Sequence, residues 1–93
     1  MGASGTTTID FGAFPGKTDA SVDVTGQGSI VSGSLVEAWL RPVDTADHTA
    51  DEHRVEEIQV VADTIVAATG FTIFGRTRNR LIYGLWTVAW VWN

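Results

Sequence analysis

The chain has 93 residues, 44% hydrophobic and 18% charged, which is the balance of one folded domain and excludes wholesale disorder. Its formal net charge of −5 argues against general nucleic-acid binding, because contacts to phosphates need a basic face. The absence of cysteine excludes disulfides, thiolate nucleophiles and cysteine-bound zinc.

The first two predicted elements are strands, at residues 6–11 and 21–25. Both are rich in Thr, Val and Ile, and turn-forming sequences, GAFPGKTD and GQGS, follow them. Apolar residues alternate with polar ones, as expected of a strand with one buried face. The side chains predicted to face the core are Ile9, Phe11, Val22 and Val24.

A third strand is predicted over residues 30–41, and Pro42 ends it. Its alternation predicts one apolar face and one mixed face. The apolar face carries Val36, Ala38 and Leu40, and the mixed face carries Leu35, Glu37 and Trp39.

The next segment, TADHTADEHRVEE, has the only helical character in the sequence. A single helical turn is predicted near residues 49–53, because Thr49 or Asp47 can cap it and acidic residues suit its N-terminal end. The two histidines are five residues apart, and neither the HExxH pattern of zinc proteases nor the EF-hand spacing is present. The segment is therefore expected to be a solvated acidic loop or a contact between subunits, and an ordered cation held by its carboxylates is the alternative.

Three more strands complete the predicted set, at residues 55–62, at 69–76 and from Leu81 onward. A hairpin around residues 63–69 joins the first two, and the sequence RTRNR forms a polar tip before the last. The last strand is apolar on both faces, which is typical of a strand inside a sandwich or one covered by another subunit. One face carries Trp86, Val88, Trp90 and Trp92; the other carries Tyr83, Leu85, Thr87, Ala89 and Val91.

The predicted fold is therefore all-β: a single antiparallel β-sandwich or jelly-roll-like domain of about six strands over residues 1–93, with an open barrel as the competing geometry. Three exposed tryptophans would make the chain prone to aggregation, so something must cover them. They are expected either to pack in the core of the domain or also to contact a neighbouring subunit. The candidate interface residues on this strand are Trp86, Trp90 and Trp92.

No motif in the sequence predicts catalysis. The serines lie outside any GxSxG elbow, and Asp10 and Asp23 are expected to face solvent rather than to act as paired glycosidase carboxylates. The sequence FPGKT lacks the spacing of a phosphate-binding loop and is predicted to be a tight turn with Pro15 and Gly16. We expect no enzyme activity, no cofactor and no bound metal.

Charge is unevenly distributed along the chain. Residues 44–57 hold six acidic side chains against Arg54, whereas Arg76, Arg78 and Arg80 lie close together in the RTRNR tip. These two regions are interpreted either as solvated loops or as complementary contacts between neighbouring subunits. The three arginines are therefore candidate interface residues.

Several stretches together, TTTIDFGAFPG, ASVDVTGQGSI, LVEAWL, ADHTADEH, TGFTIFGR and GLWTVAWVWN, resemble a group of small structural proteins of tailed bacteriophages and prophages. The resemblance covers almost the whole chain and implies a virion component. Members of the group can carry a longer insertion where this chain has only FGRTRNR. The resemblance supplies no catalytic motif, so no functional residue is carried over from it.

From this resemblance we expect a capsid decoration or cement protein that binds the outer head shell. The alternatives are a tail, collar or fibre-associated subunit, and a carbohydrate-binding adsorption module whose tryptophans stack on sugars. The expected partners are the major capsid protein or other virion subunits, together with further copies of the chain in a homo-oligomer or symmetric array, and neither nucleic acid nor a membrane. No leader and no apolar run of membrane-spanning length is recognised, so the chain is expected to be made inside a cell. The resemblance implies that the cell is the phage host and that the expected localisation is the virion, after synthesis in the host cytoplasm.

Overall fold

A computed structural model describes residues 2–78 and 80–93. Within them, six strands form two three-stranded antiparallel sheets that pack face to face, with strand orders β1-β6-β3 and β2-β5-β4. The predicted all-β sandwich of six strands is therefore confirmed. The elements are β1 Ala3–Asp10, β2 Asp19–Val24, β3 Val36–Leu40, α1 Ala50–Val55, β4 Ile58–Val66, β5 Gly70–Thr77 and β6 Leu85–Trp92.

The predicted alternation of faces is confirmed in the strands that build the core. Ile9 and Phe11 are fully buried, and the inward side chains of β2 are the apolar ones. On β6, Trp86, Trp90 and Trp92 are only 2%, 8% and 4% exposed. Each of these rings faces inward, because successive side chains of a strand point to opposite faces of the sheet. The tryptophan strand therefore belongs to the core of the domain.

Several strand boundaries predicted from the sequence are wrong. The first strand begins at Ala3 rather than Thr6, and the fourth covers Ile58–Val66 rather than residues 55–62, because Val55 is the last residue of helix α1. The third strand covers only Val36–Leu40, because residues 31–34 form a turn in which the backbone N–H of Ser34 donates to the carbonyl of Val31 at 3.0 Å. The last strand begins at Leu85 rather than Leu81, since Gly84 has a φ of +77°, which interrupts an extended strand. The hairpin joining β4 and β5 turns at residues 67–69, within the predicted range.

The turn predicted at Pro15 and Gly16 is present. The N–H of Gly16 donates to the carbonyl of Ala13 at 2.8 Å, and the peptide bond between Phe14 and Pro15 is cis. Gly16 has a φ of +86°, and a Cβ there would lie 1.7 Å from the carbonyl oxygen of Ile82. This turn therefore packs against the segment that leads into β6. The backbones of Lys17 and Ile82 form an isolated antiparallel β-bridge there.

Strand β6 is the centre of one sheet, because it pairs with β1 on one edge and with β3 on the other. Its register places Ala89 opposite Thr6 of β1 and opposite Trp39 of β3, so these three residues form one row across the sheet. Among the described residues, no helix has the length and apolar composition that crossing a membrane requires.

Candidate functional site

Residues 44–57, called here the acidic segment, form an ordered cap rather than a solvated loop. Thr49 is the N-cap of α1, as predicted, and its hydroxyl accepts from the N–H of Glu52 at 3.2 Å. The Glu52 carboxylate accepts from the N–H of Thr49 at 2.8 Å, which completes a capping box. A further carboxylate, on Asp44, accepts from the N–H of Ala50 at 2.6 Å. A cap of this kind stabilises a helix by about 1 kcal/mol.

Side chains of the acidic segment replace a missing strand beside β6. Strand β3 pairs with β6 only as far as Leu40, opposite Val88. Beyond that point the N–H of Thr87 donates to Nε2 of His53 at 2.9 Å, and the N–H of Leu85 donates to a carboxylate oxygen of Asp47 at 2.7 Å. The hydroxyl of Thr45 donates to the carbonyl of Leu85 at 2.8 Å. The backbone of β6 is therefore satisfied where no strand reaches it.

The two histidines of the acidic segment are buried and have different hydrogen-bond partners. His53 donates from Nδ1 to the carbonyl of Thr49 at 2.7 Å and accepts at Nε2 from Thr87, so these bonds require the neutral ring. His48 places Nε2 2.6 Å from the carbonyl of Tyr83 and Nδ1 3.2 Å from a carboxylate oxygen of Glu52. Both of these partners are acceptors, so only the protonated imidazolium of His48 donates to both.

The pKa of Glu52 is lowered from its ordinary value of 4.5. The largest cause is the hydrogen bond from the backbone N–H of Thr49, and the side chain of His48 adds to the effect. Both favour the carboxylate form, because a hydrogen bond donated to a charged group stabilises that charge. The His48 ring also stacks on Trp86, with ring centroids 3.8 Å apart and planes 20° from parallel. The histidine therefore links helix α1 to the tryptophan core.

A cavity of about 180 Å³ lies beside this histidine, lined in part by Glu52, Glu56, Arg80 and Tyr83. Both ring nitrogens of His48 and both oxygens of Glu52 already have partners. A buried carboxylate oxygen of Glu56 accepts no hydrogen bond from the described residues and lies 3.5 Å from Nε of Arg80. In residues 2–78 and 80–93, no three His, Asp or Glu side chains are grouped in a way that would hold a metal ion. The contacts of His48 and Glu52 therefore hold the acidic segment against the core.

The three arginines predicted as interface residues lie together at one side of the sheet β2-β5-β4. Arg76 is on the outer face of β5, in register with Asp19 of β2 and Gln59 of β4. Arg76, Arg78 and Arg80 are all exposed, and we call their surface the arginine surface. Asn79, in the predicted RTRNR tip, lies outside the described residues.

The two regions of opposite charge meet within one chain. Nε of Arg80 lies 3.5 Å from a carboxylate oxygen of Glu56, whose side chain is only 13% exposed. Glu56 and Glu57 also line a shallow depression of about 630 Å³ together with Arg76 and Arg78. Part of the charge complementarity expected between subunits is therefore intramolecular, whereas Arg76 and Arg78 have no ion-pair partner among the described residues.

A second shallow depression, of about 520 Å³, adjoins the first and shares Arg76 and Gln59 with it. It exposes two apolar side chains, Phe74 at 42% and Val61 at 47%. An apolar centre beside arginines is the composition typical of protein interfaces, where aromatic residues and Arg are enriched. The open shape and mixed lining suit contact with another protein surface.

The structure places the three candidate tryptophans away from this surface. Trp86, Trp90 and Trp92 all face the core, so they have no ring face to present to a partner. The indole N–H of Trp92 donates to the side-chain oxygen of Gln27 at 2.9 Å, and that of Trp86 donates to the carbonyl of Tyr83 at 3.1 Å. The indole N–H groups of Trp86 and Trp92 are thus satisfied inside the domain.

Sequence analysis did not single out Phe74, Val61 or Trp39 as surface residues. The outward direction of Trp39 follows from the predicted mixed face of the third strand, because Trp39 alternates with the inward Ala38 and Leu40. The exposure of Phe74 depends on its outward place in β5 and on the absence of any layer over this sheet among the described residues. The sequence pattern of a single strand does not contain that information.

Comparison of the chain with protein families, with curated proteins and with solved structures found no match.

Proposed function

We propose that this chain is a structural subunit of a tailed-bacteriophage virion, a decoration or cement protein that binds the outside of the head shell. The observation that carries the proposal is the arginine surface: Arg76 and Arg78 are exposed and lack ion-pair partners among the described residues, beside exposed Phe74 and Val61. That the particle is a phage virion is taken from the sequence resemblance to small phage structural proteins.

The charge of the rest of the chain makes the arginine surface selective. The molecule carries a formal net charge of −5, so an acidic partner is repelled by most of its surface and attracted at the arginines. Acidic loops on a neighbouring shell subunit are therefore the partner chemistry that fits best. A small contact of this kind becomes effective on a particle, because symmetry repeats it many times.

The two alternatives expected from the sequence are a tail, collar or fibre-associated subunit and a carbohydrate-binding module, and the geometry favours the first over the second. A tail, collar or fibre-associated subunit would use the same arginine surface and would differ in the number of copies per particle. A carbohydrate-binding module based on the terminal tryptophans would need exposed rings, and these rings are buried. We therefore propose the shell-binding role first and the tail role second.

Quantitative mass spectrometry of purified particles tests the proposed location. We expect this chain in near parity with the main shell protein. A handful of copies per particle would indicate a location in the tail or a fibre, and its absence from particles would reject the virion role.

Binding to particles that lack the protein tests the arginine surface. The Arg76→Ser/Arg78→Ser variant should bind about tenfold more weakly than the wild type at low salt, and added salt should weaken the wild type more than the variant. Lys17→Ser/Arg54→Ser is the matched control, because it removes the same charge from exposed positions elsewhere. Equal loss in both variants would mean that net charge matters and the arginine surface does not.

A further inference from the structure

The outer face of the sheet β1-β6-β3 lies on the opposite side of the sandwich from the arginine surface, and it exposes a second apolar patch. We call it the Trp39 face. Trp39 is 43% exposed, Val91 is 36% exposed and Leu35 is 75% exposed. Of the four tryptophans, all in the described residues, Trp39 alone has a substantially exposed ring. A shallow depression of about 490 Å³ crosses this face beside Trp39 and Arg41.

Two charged side chains lie symmetrically about Trp39 along its own strand. Trp39 lies in the row that also contains Ala89 and Thr6. Glu37 precedes Trp39 by two residues and Arg41 follows it by two, so all three side chains lie on the same face. Glu37 and Arg41 are exposed, and neither has an ion-pair partner among the described residues. One negative and one positive charge therefore flank the ring at equal distances along the strand.

We infer that a second copy of this chain packs on the Trp39 face about a two-fold axis. The axis lies in the plane of the contact and crosses the strands at the row of Trp39. Rotation about it reverses the strand direction, so Glu37 of each copy meets Arg41 of the other, and the two Trp39 rings meet at the centre. Such an interface uses the same patch on both subunits, which is the commonest form of homodimer.

Charge complementarity is the reason for choosing a second copy as the occupant. Two molecules of net charge −5 repel each other unless the surfaces in contact supply opposite charges. The Trp39 face supplies two such pairs per dimer. Dimerisation through the Trp39 face leaves the arginine surface exposed, and the inference does not depend on the proposed shell binding.

The size of the face predicts a weak dimer. Three strands about 4.8 Å apart and the eight residues of β6, each rising about 3.4 Å, give a sheet of roughly 14 by 27 Å. This area, roughly 400 Å², is about half of what one partner contributes to a standard interface. The equilibrium between monomer and dimer is therefore expected to depend strongly on protein concentration.

Sedimentation velocity of the wild-type protein over a wide concentration range tests this inference. We expect a reversible shift from monomer to dimer, and about a tenfold weaker dimer for each of Trp39→Ser, Glu37→Arg and Arg41→Glu. All three side chains are exposed, so circular dichroism and melting temperature should match the wild type. A wild type that stays monomeric throughout, or folded variants that dimerise as well as the wild type, would overturn the inference.

Mixing the two charge-reversal variants gives the sharpest control. Glu37→Arg has two positive positions flanking Trp39 and Arg41→Glu has two negative ones, so each repels itself and the mixture should recover the affinity of the wild-type dimer. The double variant Glu37→Arg/Arg41→Glu should also dimerise with itself. Failure of both recoveries would reject the proposed pairing. A monomeric wild type with a Trp39-dependent fluorescence response to glycans would instead assign this face to sugar binding.

Discussion

At residue 5 the absence of a side chain lets the ring of Trp90 occupy the core. Gly5 of β1 is directly opposite Trp90 of β6 in the antiparallel register. A Cβ at this position would lie 2.7 Å from Cζ2 of that ring, closer than real Cβ atoms come to any neighbour. The indole is rigid and packs edge-on against Phe71 of the other sheet, with ring centroids 5.5 Å apart, so it has little freedom to move away.

Gly5→Ala should therefore lower the free energy of unfolding by about 1–3 kcal/mol, the usual effect of overpacking a core. Gly33→Ala is the matched control, because nothing lies within 4 Å of its Cβ position and its φ is not in the left-handed region. It should change stability by about 0.5 kcal/mol or less. Urea denaturation of both variants makes the comparison, and equal stabilities would contradict the close packing of Gly5 against Trp90.

Glu52 makes the stability of the domain depend on pH, and the stability falls as the solution becomes more acidic. Its pKa is lowered in the folded chain, so its contribution is present above its ordinary value of 4.5 and is lost as the pH falls through the folded value. Glu52→Gln keeps an oxygen that accepts from the N–H of Thr49 but removes the titration. Between about pH 5 and about pH 3 the wild type should lose more stability than this variant. Parallel losses in chemical denaturation would remove Glu52 from the explanation.

At the scale of elements, side chains of the acidic segment make the hydrogen bonds to β6 that a neighbouring strand would otherwise make. Thr45, Asp47 and His53 reach the backbone of β6 at Leu85 and Thr87, where β3 no longer pairs with it. A buried backbone group without a partner destabilises a fold, and the segment prevents this at the start of β6. Helix α1 positions the histidine, because its last turn holds His53 within hydrogen-bond distance of the N–H of Thr87.

His53→Ala should lower the free energy of unfolding by about 1–3 kcal/mol, since it leaves the N–H of Thr87 without its acceptor. Amide hydrogen exchange at Thr87 should become faster than at neighbouring residues of β6. Asp51→Ala is the control in the same helix, because Asp51 is exposed and, within residues 2–78 and 80–93, pairs only with the exposed Arg54. Its expected effect is about 0.5 kcal/mol. Unchanged exchange at Thr87 would contradict the capping role of His53.

At the scale of the whole molecule, the two sheets share one core. Trp90 of one sheet packs on Phe71 of the other. Gly75 of β5 makes room for Ile9 and Phe11 from the opposite side, since a Cβ there would lie 3.0 Å from Ile9 and 3.1 Å from Phe11. A three-stranded sheet alone would expose half of this core to water, so neither sheet is expected to be stable without the other.

Heat or urea should therefore unfold the domain in one cooperative transition. Far-ultraviolet circular dichroism reports the strands of both sheets, whereas tryptophan fluorescence reports mainly β6. The two transition curves should coincide. Separate transitions would show that the sheets unfold independently and that the shared core couples them weakly.

Most of the fold was predictable from the sequence because alternation is a local property. The inward direction of Ile9, Val24 and the β6 tryptophans follows from residue types two apart in one strand. The helix start at Thr49 follows from its capping side chain and the glutamate three residues later. The exposure of the three arginines follows from their charge, although Arg76 lies on the outer face of β5 rather than in the predicted polar tip.

Only the tertiary structure decided which groups meet across the chain. Nothing local to TADHTADEH indicates that His53 and Asp47 bind the backbone of β6, more than thirty residues away. The same is true of the ion pair between Glu56 and Arg80, and of the row that joins Thr6, Ala89 and Trp39. Local patterns determine which face of a strand is apolar, because that depends on side chains in sequence. Pairing and exposure depend on which strands become neighbours, and that is set by the packing of the whole core.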